Sequence, residues 1–232
     1  MYYDLHTYTN ETIGENSLEE IIEFAKKLGL SGIGIVNFFT TVDDLRWPEN
    51  NEIDIVKVLM IKTNNVEEME KIAKRVRNRA EILMVHGGDY EINRAACENS
   101  LIDVLSRPEL NRNRPGLDHI CLKAAQENNV TIEVNFREIL ETYKKHRSYV
   151  LSAMRESIRL SKKYNANVIT TSGAISKWDL RSGRELASVS HHLGLELGDA
   201  IASVSTIPEQ LAKQNREKLK DKRWEGVSIV DE

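Results

Sequence analysis

The sequence predicts a single-domain α/β protein folded as a TIM-like (β/α) barrel, and three observations predict it. Short β-rich apolar runs alternate with longer segments of helical period, the pattern of repeated βα units around a parallel sheet. Eight such runs occur in 232 residues, close to the usual size of one (β/α)8 barrel. Several runs are continuously apolar, as strands covered on both faces should be. A doubly wound open sheet is the alternative, because periodicity does not say whether a sheet closes.

The expected strands are residues 2–5, 32–36, 53–61, 82–85, 102–105, 130–135 and 168–171, with residues 200–204 the faintest of the eight. The intervening helices carry readable signals. Ser17-Leu18-Glu19-Glu20 is a capping box, and Ile21, Ile22, Ala25 and Leu28 form an apolar stripe that stops at Gly29. Asn65 opens a helix over residues 66–79, with Glu67, Glu68 and Glu70 early and Arg75, Arg77 and Arg79 late, in the sense the helix dipole favours. Pro115-Gly116 introduces a helix over 117–127, and further helices are expected at 150–164, 185–193 and 208–219. No linker of Pro, Ser and Gly divides the chain. The barrel is assigned to residues 1–224 and a tail to residues 225–232.

The composition, 41% hydrophobic and 29% charged, is that of an ordinary globular protein with a sizeable core. No uncharged apolar run approaches the roughly 18 residues that span a bilayer, so no membrane association is expected. The opening residues lack a basic segment followed by an apolar stretch, so no secretory signal is expected. Cys97 and Cys121 have no CxxC spacing and read as buried thiols in a reducing compartment, which predicts a cytoplasmic protein. The net charge of −4 argues against nucleic acid, but it hides an asymmetry. Residues 1–70 carry 14 acidic and 5 basic side chains, and the rest of the chain carries 22 acidic and 27 basic. Such a split gives one face a positive potential, or it is scatter between solvated helix faces.

In a barrel of this kind, functional groups sit at the C-terminal ends of strands. His6, His86, Glu133 and His119 are therefore the candidate metal ligands. The opening Asp4-Leu5-His6 resembles the start of the polymerase-and-histidinol-phosphatase (PHP) metal hydrolases, which carry His-x-His there and Ser-Asp-x-His late in the barrel. Here Tyr8 replaces the second histidine. Ser172 remains, but Gly173 stands for the aspartate and Ile175 for the last histidine. A phenol, a hydrogen and a hydrocarbon do not replace two imidazoles and a carboxylate around a divalent cation. No protein-bound metal is expected, and His6 and His86 become hydrogen-bonded core or rim residues. Ser172 lies outside a Gly-x-Ser-x-Gly elbow, and Gly87-Gly88 and Gly32-x-Gly34 are too sparse for a phosphate-binding fingerprint. No catalytic motif survives.

What remains is arginine in loops. The segment Ser106-Arg107-Pro108-Glu109-Leu110-Asn111-Arg112-Asn113-Arg114-Pro115-Gly116 follows the fifth strand. Arg94, Arg137, Lys177, Arg181 and Arg184 share the same rim if the sheet closes. Arginine forks suit phosphate oxygens, and Asn93, Asn111, Asn113 and Asn135 suit phosphate, ribose or base edges. Equally, the arginines can pair with Asp103, Glu109, Asp118, Glu133 and Asp179 and serve as a staple. A second basic run, Lys144-Lys145-His146-Arg147 with Arg155, Arg159, Lys162 and Lys163, reads as an outward stripe without carboxylates at pairing distance, that is, a solvated face.

Ordered landmarks carry a more specific resemblance. They are Glu91-Ile92-Asn93-Arg94, Asp103-Val104-Leu105-Ser106-Arg107-Pro108, Gly116-Leu117-Asp118-His119, Ile132-Glu133-Val134-Asn135-Phe136-Arg137, Thr171-Ser172-Gly173-Ala174 and Trp178-Asp179-Leu180-Arg181-Ser182. With these the chain resembles, over nearly its whole length, the family of archaeal ribonuclease P protein component 3. The resemblance implies a PHP-related TIM-like barrel without the metal centre and without catalysis of its own. It implies an RNA subunit that, with Mg2+, removes the 5′ leader from precursor tRNA, so that Mg2+ comes through the RNA. The implied partners are that RNA, the RRM-like protein component 2, the other ribonuclease P protein subunits and, as holoenzyme substrate, precursor tRNA. The matching segments imply RNA contacts at Arg94, Arg107, Arg114, His119, Arg137, Lys177 and Arg181, and Arg112 joins them from the same loop. A PHP-type metal-dependent phosphoesterase is the alternative function, and a purely structural barrel is a third.

Overall fold

Seven strands run parallel and pair in sequence order in the computed structural model, which describes residues 1–39, 52–110 and 116–220. They are β1 (Tyr3–Thr7), β2 (Gly32–Phe38), β3 (Asp54–Ile61), β4 (Ile82–His86), β5 (Val104–Ser106), β6 (Thr131–Asn135) and β7 (Val168–Thr171). Side chains alternate across the sheet, as the strand period requires. Val56, Val58 and Met60 of β3 join Ile82, Met84 and Val104 inside the barrel. Leu59, Ile61, Leu83, Val85 and Leu105 face outward. There they pack beneath α2 (Val66–Val76), α3 (Tyr90–Cys97) and α4 (His119–Glu127).

The ring closes, so the sheet is a near-complete barrel and not an open doubly wound one. Thr7 bridges Ala174 just beyond β7; Tyr8 N–H donates to Ala174 O at 2.9 Å, and Ala174 N–H to His6 O at 3.2 Å. At the opposite end, where an eighth strand would stand, Thr170 N–H donates to Ser203 O (3.1 Å) and Tyr3 N–H to Val204 O (2.8 Å). The strand expected at residues 200–204 is thus the end of α8 (Leu197–Ala202) and a turn. The reason is local. Ala200 N–H bonds Glu196 O, while the hydroxyls of Ser203 and Ser205 return to Ala200 O and Ile201 O, so the segment satisfies itself helically.

The helix starts follow their sequence signals. Ser17 and Glu20 form the reciprocal box of α1 (Leu18–Lys27), and Asn65 accepts from Glu68 N–H to open α2. One short element, α5 (Phe136–Glu141), escapes the periodicity, while α3 is the helix that carries Arg94. The helix expected at residue 150 begins six residues earlier, as α6 (Lys144–Tyr164), because its first turn is too polar to show an apolar stripe. Next come α7 (Gly183–Leu193) and α8, then α9 (Thr206–Lys220), whose Ile207, Leu211 and Ala212 pack into the lower end of the barrel interior. Arg216 of α9 fixes that floor by bonding both carboxylate oxygens of Asp54, at 3.0 and 2.8 Å, and Glu81 at 3.0 Å. The N-terminal end of the barrel is therefore sealed, and the C-terminal mouth carries whatever chemistry the fold displays. The tail expected at residues 225–232 lies outside the described residues.

Candidate functional site at the barrel mouth

Above the apolar layers the barrel interior turns polar. Glu133 of β6 is 1% exposed, yet it accepts from Ser106 Oγ, from Thr171 Oγ1 at 2.6 Å and from His6 Nδ1 at 2.7 Å. Burial on its own would raise the carboxyl pKa. The facing His6 and these three bonds outweigh it and draw the pKa down to about 2. The other His6 nitrogen, Nε2, lies 2.9 Å from the Tyr8 hydroxyl, and the Tyr8 ring stacks on Phe38 at 5.6 Å. Asp4 Oδ1 accepts from the N–H groups of His6 (3.3 Å) and Ser172 (3.1 Å), while burial lifts its pKa to about 6. The network ties β1, β5, β6 and β7 together across the barrel axis.

This donor set does not fit a catalytic cation. Both His6 nitrogens have protein partners, and Tyr8 keeps its proton because burial pushes the phenol pKa up. Gly173 has φ 65°, and a Cβ there would stand 2.3 Å from Asn135 Oδ1, so an amide occupies the space an aspartate would need. His86 Nδ1 lies 3.1 Å from Gly87 O, outside the His6 cluster. Among the described residues, no group of three or more His, Cys, Asp or Glu side chains is gathered to hold a metal ion.

The rim is stapled, but not by the carboxylates the sequence suggested. Arg107, at φ 52°, pairs with Glu138 and lies 4.0 Å from Glu141; its side chain is 13% exposed. Arg137 pairs with the same Glu141, donates to Gly173 O at 3.4 Å and is 18% exposed. Arg181 donates to Trp178 O (2.7 Å) and Leu180 O (2.8 Å) and lies over the Phe136 ring. Lys177 pairs with Glu20 at 2.6 Å and sits over the indole of Trp178, which is 67% exposed. These four form one chain of contacts. Arg94, paired with Glu98, and the exposed His119 lie on α3 and α4 and join none of them. Arg112 and Arg114 lie outside the described residues.

The carboxylates expected to staple the rim are engaged elsewhere. Asp103 pairs with Arg77, Asp118 caps α4 and accepts from Tyr90, Asp179 caps its own turn, and Glu133 holds His6. Glu109 is buried beside Glu138 and Glu133, and its Oε1 has no hydrogen-bond partner among the described residues. Of the partners missed in the sequence, Glu141 sits four residues after Arg137 within α5, a spacing that would have revealed it had α5 been anticipated, whereas Glu138 pairs with Arg107 from another loop. The second basic stripe also needs correction. Arg159 makes a two-pronged pair with Glu156, at 2.7 and 2.6 Å, and Lys162 reaches Glu196 at 2.9 Å. The carboxylate at i−3 from Arg159 and one from a neighbouring segment supply what an i,i+4 search did not find.

Comparison with known proteins agrees with this architecture. The sequence profile of the family described as RNase P subunit p30 matches residues 1–220. Ribonuclease P protein component 3 of Methanococcoides burtonii is 34% identical over 99% of this chain and 94% of its own length. The protein of the same name from Methanothermobacter thermautotrophicus is 29% identical over 100% and 96%. Among solved structures, a chain in the cryo-EM structure of archaeal ribonuclease P with mature tRNA superposes with a TM-score of 0.79 at 24% identity, covering 99% of this chain and 98% of that one. The zinc-bound histidinol phosphate phosphatase of Lactococcus lactis gives 0.54 at 11% identity, over 84% and 94%. The two structural likenesses carry the fold.

Proposed function

The chain belongs to the RNase P subunit p30 family, and from that premise we propose that it is a non-catalytic, RNA-contacting subunit of a ribonuclease P particle. One observation carries the reading: His6 and Glu133, at the centre of the mouth, are held by bonds to one another and to Tyr8, Ser106 and Thr171, while the rim around them presents cations and an exposed indole. A site whose imidazole is bonded at both nitrogens offers no base or ligand to a substrate. Cations on a rigid rim offer phosphate contacts that need no base-specific geometry. Bond breaking then falls to the RNA subunit and its Mg2+, which removes the 5′ leader from precursor tRNA.

Exposure sorts the predicted contacts. Arg94, His119 and Lys177 with Trp178 are read as RNA contacts, whereas Arg137 and the Glu138-paired end of Arg107 hold the rim in shape, and Arg107 also lines the mouth. Component 2 is the proposed protein partner, because a chain of net charge −4 with a local basic face binds RNA weakly alone and more firmly as one of two linked modules. Two free buried thiols support a reducing, cytoplasmic setting, and among the described residues no helix is long and apolar enough to cross a membrane. The test is reconstitution on the catalytic RNA, with and without component 2, following precursor-tRNA cleavage at moderate Mg2+. The pair should stimulate cleavage beyond either protein alone. Phosphate-ester hydrolysis by the isolated chain, using its own stoichiometric Zn or Mn, would instead establish the PHP-type phosphoesterase.

A further inference from the structure

The loops after β3, β4 and β5 enclose a cleft of about 420 Å³ on the mouth face, lined in part by Lys62, Asn64, His86, Gly87, Asp89 and Arg107. A wider cleft of about 620 Å³ between α6 and α7 is less informative, because Arg159 and Lys162 in its wall are already paired with Glu156 and Glu196. The mouth cleft, whose Arg107 is likewise paired with Glu138, differs in combining a cation unpaired among the described residues with a neutral acceptor and an amide. Lys62 is exposed and forms no ion pair among the described residues. The Nε of Arg107 is buried without a hydrogen-bond partner among the described residues, although the far end of the guanidinium pairs with Glu138. His86 Nδ1 faces Gly87 O at 3.1 Å, so it carries the hydrogen and leaves Nε2 as an acceptor. Burial first, then the charges of Arg107 and Lys62, depress the His86 pKa to about 4 and keep that acceptor neutral.

The wall between these groups is kept bare by backbone necessity. A Cβ on Gly87 would stand 2.5 Å from Asn93 Oδ1 and 2.7 Å from Ser106 O, and Gly88 has φ 111°, a conformation glycine adopts without strain. The cleft therefore offers the Lys62 ammonium, one edge of the Glu138-paired Arg107 guanidinium, a neutral acceptor and the amide of Asn64, which has no partner among the described residues, while the Asp89 carboxylate in its wall is engaged by the N–H groups of Glu91 and Ile92. Hydrogen phosphate can satisfy the cations and lend His86 Nε2 its own O–H, but it leaves most of the roughly 420 Å³ and the Asn64 amide unused. A phosphate carrying a sugar and a base supplies O–H and N–H donors for that nitrogen as well.

We propose that this cleft binds one phosphorylated nucleoside, with Lys62 and Arg107 on the phosphate and His86 and Asn64 on a ribose hydroxyl or base N–H. The nucleotide can be free or a residue turned out from an RNA strand, and only the second case rests on the ribonuclease P reading. Titration calorimetry of the full chain with 5′-adenosine monophosphate, inorganic phosphate and a short single-stranded RNA tests it. Adenosine monophosphate should bind at least about tenfold more tightly than phosphate, and Lys62→Ala should weaken it about tenfold. His86→Ala should narrow the preference over phosphate; should that variant fail to fold, Lys62→Ala on an exposed side chain still decides. Displacement of the monophosphate by RNA assigns the cleft to an RNA nucleotide, and its retention assigns it to a free one. No binding of the monophosphate at millimolar concentration, equal binding of phosphate, or indifference to Lys62→Ala overturns the proposal. If the particle is stimulated normally while these tests fail, the cleft inference falls alone; if the monophosphate binds but cleavage is never stimulated, only the functional reading falls.

Discussion

Glu109 places an ionisable group where the fold wants a neutral one, and stability should record it. The residue is 2% exposed in the loop after β5. Burial above all, with Glu138 and Glu133 adding, lifts its carboxyl pKa from 4.5 to about 8 against the opposing pull of a backbone bond and Arg107. The folded chain thus holds this proton more tightly than the unfolded chain. The contribution is full below about pH 4.5 and is lost as pH rises toward 8. At about 1.4 kcal/mol per pH unit the window spans about 5 kcal/mol, an upper bound that backbone relaxation and water entry reduce to about 2–3 kcal/mol. Glu109→Gln keeps the shape and removes the titration. Urea midpoints of the two proteins should coincide near pH 4.5 and separate steadily as pH rises, the glutamine protein being the more stable. Asp4 titrates in the same sense up to about 6, but it is common to both proteins and cancels; Glu133 acts oppositely, only below about 4.5. A separation independent of pH, or a glutamine protein less stable at pH 8, would refute the placement of Glu109.

Other expectations follow from equally specific contacts. Arg216→Ala should cost about 2–3 kcal/mol in urea unfolding, below the range for fully buried pairs because these partners are 14–30% exposed, and Arg216→Lys should recover only part of it as a single donor. Gly173→Asp, which restores the phosphatase residue, should lower stability by about 2–4 kcal/mol and restore no phosphatase turnover, since the new Cβ meets Asn135. Lys177→Ala should weaken binding to the catalytic RNA and reduce the slope of log K against log salt by about one phosphate contact, with an unchanged slope placing Lys177 off the RNA. Cys97 and Cys121 should resist thiol reagents in the native chain and react after denaturation; a fast-reacting thiol in the native protein would contradict their burial.

The parts of the fold legible in sequence are those where one local force dominates. Continuous apolar runs located the seven real strands because both faces of each are covered, and paired capping residues located the start of α1. The eighth strand misled for a complementary reason. Residues 200–204 are apolar enough for a strand, yet serine hydroxyls folding back onto carbonyls at i−3 and i−4 make a helical turn equally self-sufficient. The barrel closes all the same, because β1 and β7 need backbone partners at that seam and the carbonyls of Ser203 and Val204 supply them. Closure demands hydrogen-bonding groups in the right place more than it demands a strand.

The site was legible by residue type and illegible by pairing. The sequence located the mouth groups at strand ends and showed that the phosphatase ligands were gone, since that needed only the chemistry at positions 8, 173 and 175. It did not show that His6 is held by Glu133, 127 residues away, or that Arg107 answers to Glu138 and not to the neighbouring Glu109. Such pairs are set by barrel curvature, which no local period encodes. The consequence bears on function. A mouth whose strand-end groups were left unbonded would have His6 and Glu133 competing for stray cations or protons. Here Tyr8, Ser106 and Thr171 take up the bonding capacity of His6 and Glu133, converting a ligand set into a structural staple. The bonds that hold His6 and Glu133 also tie β1, β5, β6 and β7 together beneath the rim, and a rim held in place is what phosphate contacts spread over several loops require.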